Sequence, residues 1–172
     1  MKIQAMIYKT ALAALLSLPL MLGGCRTTQS ADSSLQERNK ALVRKFNKEF
    51  IEEGNVSVYD ELISPNFRSY EMNGELSAPR ASFVFYTKVF RPAFPDLKVI
   101  IQDQYADGDT VITRKTFQGT QKGTFLGVPG TNKMVKFSAI DIIKLQDGKF
   151  VEHRVVTDVF GLLKQIKPQQ AP

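Results

Sequence analysis

The stretch MVKFSAIDIIKLQDGKFVEHRVVTDVF, residues 134–160, decides the fold. Val135, Phe137, Ala139, Asp141, Ile143 and Leu145 recur at every second position, the period of a strand with a buried face. Asp147-Gly148 is a tight-turn signal, and Lys149 to Thr157 returns as the last strand. Val159 to Ile166 reads as a short closing helix. Upstream the same period governs Leu97, Val99 and Ile101, which alternate with Lys98 and Gln102. Asp107-Gly108-Asp109 is a hairpin turn and Val111 to Phe117 the strand after it. A connection rich in Gly (Gly119, Gly123, Gly127, Gly130) leads back to Met134.

Before Leu97 the period is helical. Leu35, Leu42, Val43, Phe46 and Phe50 form an apolar stripe over about residues 35–53. Ser34 with Glu37 is a capping-box signal at its start, and Gly54-Asn55 ends it. A second helix is expected over 56–63, then a turn at Ser64-Pro65-Asn66 and a short strand from Phe67 to Glu71. Asn73-Gly74 is a further turn signal. Pro79 fits the first turn of a third helix over 79–91, with Phe83, Tyr86, Val89 and Phe90 on one side and Pro92 closing it. The Phe-rich segment 83–94 reads as core or as the wall of an apolar pocket. Helices followed by a run of antiparallel strands predict an α+β fold: a curved, cone-shaped antiparallel sheet with about three N-terminal helices packed on it.

The 172 residues carry 23 Lys+Arg against 17 Asp+Glu, one Cys and one His. One Cys excludes an internal disulfide, and one His with one Cys leaves no usual zinc set. With no phosphate loop and no dinucleotide fingerprint in the sequence either, no metal and no cofactor is expected. The N-terminus is an address. Lys2 and Lys9 precede an apolar run, 11–22, too short to span a bilayer. It ends in Leu22-Gly23-Gly24-Cys25, which resembles the bacterial lipobox. That likeness implies cleavage after residue 24 and lipidation of Cys25. Residues 25–34 then read as the lipidated Cys and a flexible tether, 35–166 as the folded domain, and 167–172 as a disordered tail. The expected location is the cell envelope, lipid-anchored to a membrane. Arg26 after the Cys favours the outer membrane facing the periplasm, where two membranes are present. The basic residues are scattered, so no nucleic-acid partner is expected.

Several short runs occur in order: Phe94-Pro95-Asp96-Leu97, Ala106-Asp107-Gly108-Asp109, Gly119-Thr120-Gln121-Lys122-Gly123, Gly127-Val128-Pro129-Gly130, Asp147-Gly148-Lys149-Phe150-Val151-Glu152-His153, then Asp158 and Gly161-Leu162-Leu163. This succession, over about 39–166, resembles the SnoaL-like polyketide cyclase (ester cyclase) family. The resemblance implies the nuclear-transport-factor-2-like cone, enclosing a pocket for a small apolar or carbonyl-containing molecule. It also implies cofactor-free aldol or isomerisation chemistry, in which a base takes a proton beside a carbonyl and an acid protonates another.

Three residues are candidates for that chemistry. Asp158 corresponds to the family's catalytic Asp; it is equally placed to cap the helix at Val159. Asp141 interrupts an apolar row, which fits either a pocket acid or a buried carboxylate paired with Arg114, Lys115 or Arg154. His153 matches the family's Glu-His run, and histidine ordinarily titrates near neutrality; the alternative is a structurally bonded strand histidine. On strict alternation His153 and Asp158 face opposite sides. The chain departs from the family pattern at Tyr70, Gln121 and Arg154, where relatives carry His, His and Trp. These three are expected to line the ligand pocket, where they can bind a carbonyl but do not replace histidine as a base. Three functions stay open: a ligand-binding envelope lipoprotein, a cyclase-type enzyme using Asp158, and a non-catalytic homodimeric module.

Overall fold

The computed structural model describes residues 25–70, 76–78 and 80–167. The leader 1–24, the Asn73-Gly74 turn, Pro79 and the tail 168–172 lie outside them.

Helix α1 spans Cys25–Lys45 and continues without a break as a π-helical stretch, Phe46–Glu52. It starts earlier than the capping-box reading placed it, so the segment expected to be a tether is helical. No Pro or Gly interrupts residues 25–53. The Ser34 hydroxyl donates back to the Ala31 carbonyl (2.9 Å) instead of capping a turn. Residues 31–35 are exposed, and burial begins with Asn39, Val43, Phe46, Asn47, Phe50 and Ile51. Gly54 ends the helix at φ +80. A side chain there would collide with the Arg91 guanidinium, which donates to the carbonyls of Ile51 and Glu52 at the helix end. Those are carbonyls a helix terminus leaves without intrahelical partners.

Helix α2 (Val56–Leu62) is capped by Asn55, whose side chain accepts from the Ser57 N–H. The chain then enters strand β1 (Ile63–Tyr70) directly. No turn forms at Ser64-Pro65-Asn66. The register is irregular between Ile63 and Arg68, which accommodates Pro65, a residue with no N–H for a ladder. Helix α3 (Ala81–Val84) runs through a π-helical turn, Phe85–Phe90, into α4 (Arg91–Ala93). The helix thus passes Pro92, the residue expected to end it.

Four longer elements complete the sheet: β2 (Lys98–Asp107), β3 (Thr110–Thr120), β4 (Met134–Gln146) and β5 (Lys149–Thr157). The strand order is β1-β5-β4-β3-β2. All pairs are antiparallel except β1 with β5, which is parallel. That parallel edge corrects the all-antiparallel expectation, and it brings β1 beside the last strand. Register shifts between Ile101 and Asp103, and between Lys144 and Leu145, bend the strands as bulges do. Along β4 every odd residue from Val135 to Leu145 is buried and every even one exposed. The inner face packs against α1 and the Phe85–Phe90 turn. Phe90 lies at 5.3 Å from both Phe94 and Phe117. Helix α5 (Val159–Ile166) closes the structure as expected, burying Leu162 and Ile166.

Candidate functional site

Asp141 sits on the inner face of β4, 2% exposed. The ladder puts it opposite Thr113 of β3 and Val155 of β5. Its diagonal neighbours on the same face are therefore Lys115 and His153, within reach of long side chains. Lys115, 1% exposed, forms an ion pair with Asp141 Oδ2. Lys115 Nζ also donates to Asn47 Oδ1 at 2.8 Å. Asn47 in turn donates to the Val43 carbonyl, 2.9 Å. The carboxylate is thereby tied to α1.

His153 takes the other carboxylate oxygen, with Nε2 3.3 Å from Asp141 Oδ1. Its Nδ1 lies 3.2 Å from Ser69 Oγ. Ser69 is its partner in the parallel register, so the two side chains leave the same face. The Phe67 ring lies nearly parallel to the imidazole, 6.4 Å away at 19°. An anionic Asp141 needs the proton on Nε2, which leaves the Nδ1 lone pair to accept the Ser69 hydroxyl.

Burial alone pushes Asp141 toward the neutral form. Lys115 and His153 outweigh it, and the pKa falls to about 2. Glu52 behaves alike: burial raises its pKa, while Lys48, the Val99 N–H and Lys98 bring it down to about 2. Both carboxylates bind protons less readily folded than unfolded, where a carboxylate titrates near ~4. Their contribution to stability is therefore complete above about pH 4 and is lost as pH falls toward 2. Urea midpoints should be flat from pH 7 to 5 and drop steeply between 4 and 2. In Asp141→Asn, which lacks one of the two groups, that acid slope should be shallower. An equal slope would mean that Asp141 is not held ionised.

The inner cluster borders a narrow cavity of about 20 Å³, lined by Phe46, Ile63, Phe67, Tyr86, Lys115, Asp141 and His153 among others. It has room for about one water. Ser82, Tyr86 and His153 also line an open outer cleft of about 270 Å³, with Ser69, Tyr70, Phe85, Val155 and Thr157. Burial, and then the charge of Asp141, raise the Tyr86 pKa, so its hydroxyl stays protonated. Among the described residues no group of three His, Cys, Asp or Glu could hold a metal ion.

Three expected residues stand elsewhere. Asp158 is exposed and accepts the Gly161 N–H at 2.8 Å as the cap of α5. No bulge falls between it and His153, so alternation turns it off the inner face. Gln121 is fully buried but spends its amide within its own loop. It donates to the carbonyls of Gly123, Val128 and Pro129 and accepts from Thr131. That bonding holds the 121–131 loop and leaves nothing for a ligand. Arg154 is exposed on the outer face, ion-paired with Glu152 at 2.9 Å and 4.2 Å over the Tyr70 ring. Tyr70 does line the outer cleft. Tyr86 falls in the 83–94 segment read as core or pocket wall, and it lines both spaces; Asn47 and Ser69 were not expected. A polar residue between Phe46 and Phe50 on an apolar stripe was a readable signal for Asn47.

The family model for SnoaL-like polyketide cyclase matches residues 41–166, and the chain belongs to that family. A protein from Jannaschia sp. CCS1, assigned as a SnoaL-like polyketide cyclase, superposes with a TM-score of 0.70 at 26% identity, covering 78% of this chain and 96% of that one. AclR from Streptomyces galilaeus, assigned as a hydroxylase, gives 0.72 at 25% identity, covering 80% and 86%. A polyketide cyclase assignment from Acidithiobacillus ferrooxidans gives 0.65 at 27%, covering 75% and 94%. No curated protein matches the sequence. The nuclear-transport-factor-2-like architecture expected from the sequence is the one found, with five strands in a curved, unclosed sheet.

Proposed function

We propose that this protein is an envelope lipoprotein whose SnoaL-like domain binds a small, largely apolar carbonyl compound in the cleft above His153. The carrying observation is the position of His153. It joins the buried Asp141–Lys115 pair to an open cleft with apolar walls. A pocket that is mostly apolar, with a few convergent polar groups, is the usual form of a small-molecule site. The protonated Tyr86 hydroxyl and the His153 imidazole are groups that can meet a carbonyl oxygen. Family membership supports a small-molecule ligand, and the Leu22–Cys25 run supports the lipid anchor. The reading of Asp158 as acid–base has no support from geometry, because its carboxylate caps α5 at the surface.

The test is binding of an environment-sensitive aminonaphthyl ketone to the purified Cys25→Ser protein. Wild-type cleft residues should give a blue-shifted, saturable fluorescence. Val155→Arg places a long charged chain in the cleft and should weaken binding at least about tenfold, a change of ~1.4 kcal/mol. Equal affinity in that variant would remove the cleft as the site. The same Cys25→Ser change should move the protein out of the membrane fraction, and unchanged attachment would remove the lipid anchor. Tyr105, Ile112, Ile140, Ile142 and Val156 are exposed on the outer sheet face. A homodimer would use them, and sedimentation of this preparation reads its mass.

A further inference from the structure

We propose that Ser69, His153 and Asp141 form a nucleophile, base and orienter that let the cleft accept an acyl group from a small apolar ester. The proposal rests on the cleft being the ligand site. It adds a covalent step that binding alone does not require.

The parallel pairing of β1 with β5 sets Ser69 opposite His153. Their contact, Oγ to Nδ1, is 3.2 Å, and the far side of the ring meets Asp141 at 3.3 Å. Both are at the long end of hydrogen-bond range, as is common before substrate tightens a site. The chain of bonds continues through Lys115 and Asn47 to the backbone of α1. The orienting carboxylate is therefore fixed from two sides. The only hydroxyl bonded to the Nδ1 lone pair among the described residues is that of Ser69. Ser69 lines the cleft together with Phe85 and Val155, surfaces suited to an apolar acyl chain. The ring nitrogens exchange the roles they hold in the familiar Ser-His-Asp arrangement. The requirement is only that one nitrogen face the hydroxyl with a lone pair and the other donate to the carboxylate.

The step balances without a further reagent. Ser69 Oγ attacks the ester carbonyl and its proton passes to His153 Nδ1. The Oγ–C bond forms, the C–O bond to the leaving alkoxide breaks, and that alkoxide takes the proton from His153. Water then attacks the acyl-serine by the same route, releasing the carboxylic acid and restoring the hydroxyl. The protonated Tyr86 hydroxyl, on the wall shared by cavity and cleft, is a donor for the carbonyl oxygen. Lys115 already shares the Asp141 charge, which weakens the support for a protonated His153. Stoichiometric acylation is thus the expected readout, more than rapid turnover.

The experiment treats the full chain in detergent with an alkyl fluorophosphonate, and separately with p-nitrophenyl butyrate, and locates the adduct by peptide mass spectrometry. One adduct is expected, on the peptide containing Ser69. Ser69→Ala and His153→Gln should each lower its rate by about 100-fold or more, with melting curves showing both variants folded. Ser138→Ala, exposed on the outer face of β4, should label like wild type. No adduct on wild type, an adduct on another residue, or equal labelling of Ser69→Ala overturns the proposal. Ketone binding without any adduct rejects the nucleophile and leaves the binding reading intact. An adduct at Ser69 without ketone binding does the reverse.

Discussion

Lys115→Met should lower the free energy of unfolding by about 3–5 kcal/mol, the usual cost of removing one member of a buried ion pair. For a domain of this size that is a fall in Tm of roughly 10 °C or more. Met keeps most of the Lys volume, so packing beside Phe117, 4.9 Å from Nζ, is little changed. What is lost is electrostatic. Asp141 stays buried with its cation gone, and Asn47 Oδ1 loses its donor. The carboxylate then depends on His153 alone. The double variant Lys115→Met/Asp141→Leu should recover much of the loss, because an apolar pair of similar volume often matches a buried ion pair. It should also fail to label at Ser69. Urea denaturation of wild type and both variants checks this. A single variant within about 1 kcal/mol of wild type, the range of an exposed ion pair, would mean that water reaches the pair.

The contrast between these residues shows what a sequence can carry. The β4 row was legible because one strand's alternation is local, and Asp141 stood out as the acid in it. The partner was not legible. Lys115, Arg114 and Arg154 were all open, and only the β3–β4 register, set across the Gly-rich connection 119–133, puts Lys115 on the inner face. Ser69 left no local mark at all. Its role depends on a parallel pairing with a strand 84 residues away, and the tight turns in the sequence announce only antiparallel hairpins. Gln121 and Asp158 mislead in the opposite direction. Each satisfies a nearby loop or helix end, so a local bond holds a side chain that family pattern suggested for a ligand. The π-helical stretches at Phe46–Glu52 and Phe85–Phe90 were also hidden, since a stripe of four or five aromatic or apolar positions fits either winding. Yet they matter for the site: they set Asn47 and Tyr86 facing the sheet.

Phe50→Ala tests that last link and should be as costly as the ion-pair variant, about 3–5 kcal/mol for a fully buried ring. Phe50 has no exposure. Its ring lies 5.0 Å from Phe46, 5.1 Å from Tyr59, 6.0 Å from Phe83 and 5.8 Å from Tyr86. It does not line the cavity, but Phe46 and Tyr86, which it holds, do. Removing it leaves an apolar void behind that wall, of the kind that stays dry and accepts benzene. Benzene should therefore raise the Tm of Phe50→Ala and leave wild type nearly unchanged, by linkage of ligand to the folded state. The Tyr86 ring should lose its edge contact with Phe50 and with it a fixed place in the cleft wall, so ketone affinity falls although Phe50 touches no ligand. If stability drops as expected while ketone affinity and Ser69 labelling both hold, Tyr86 is positioned by Phe85 and Phe90 instead, and Phe50 serves the core alone.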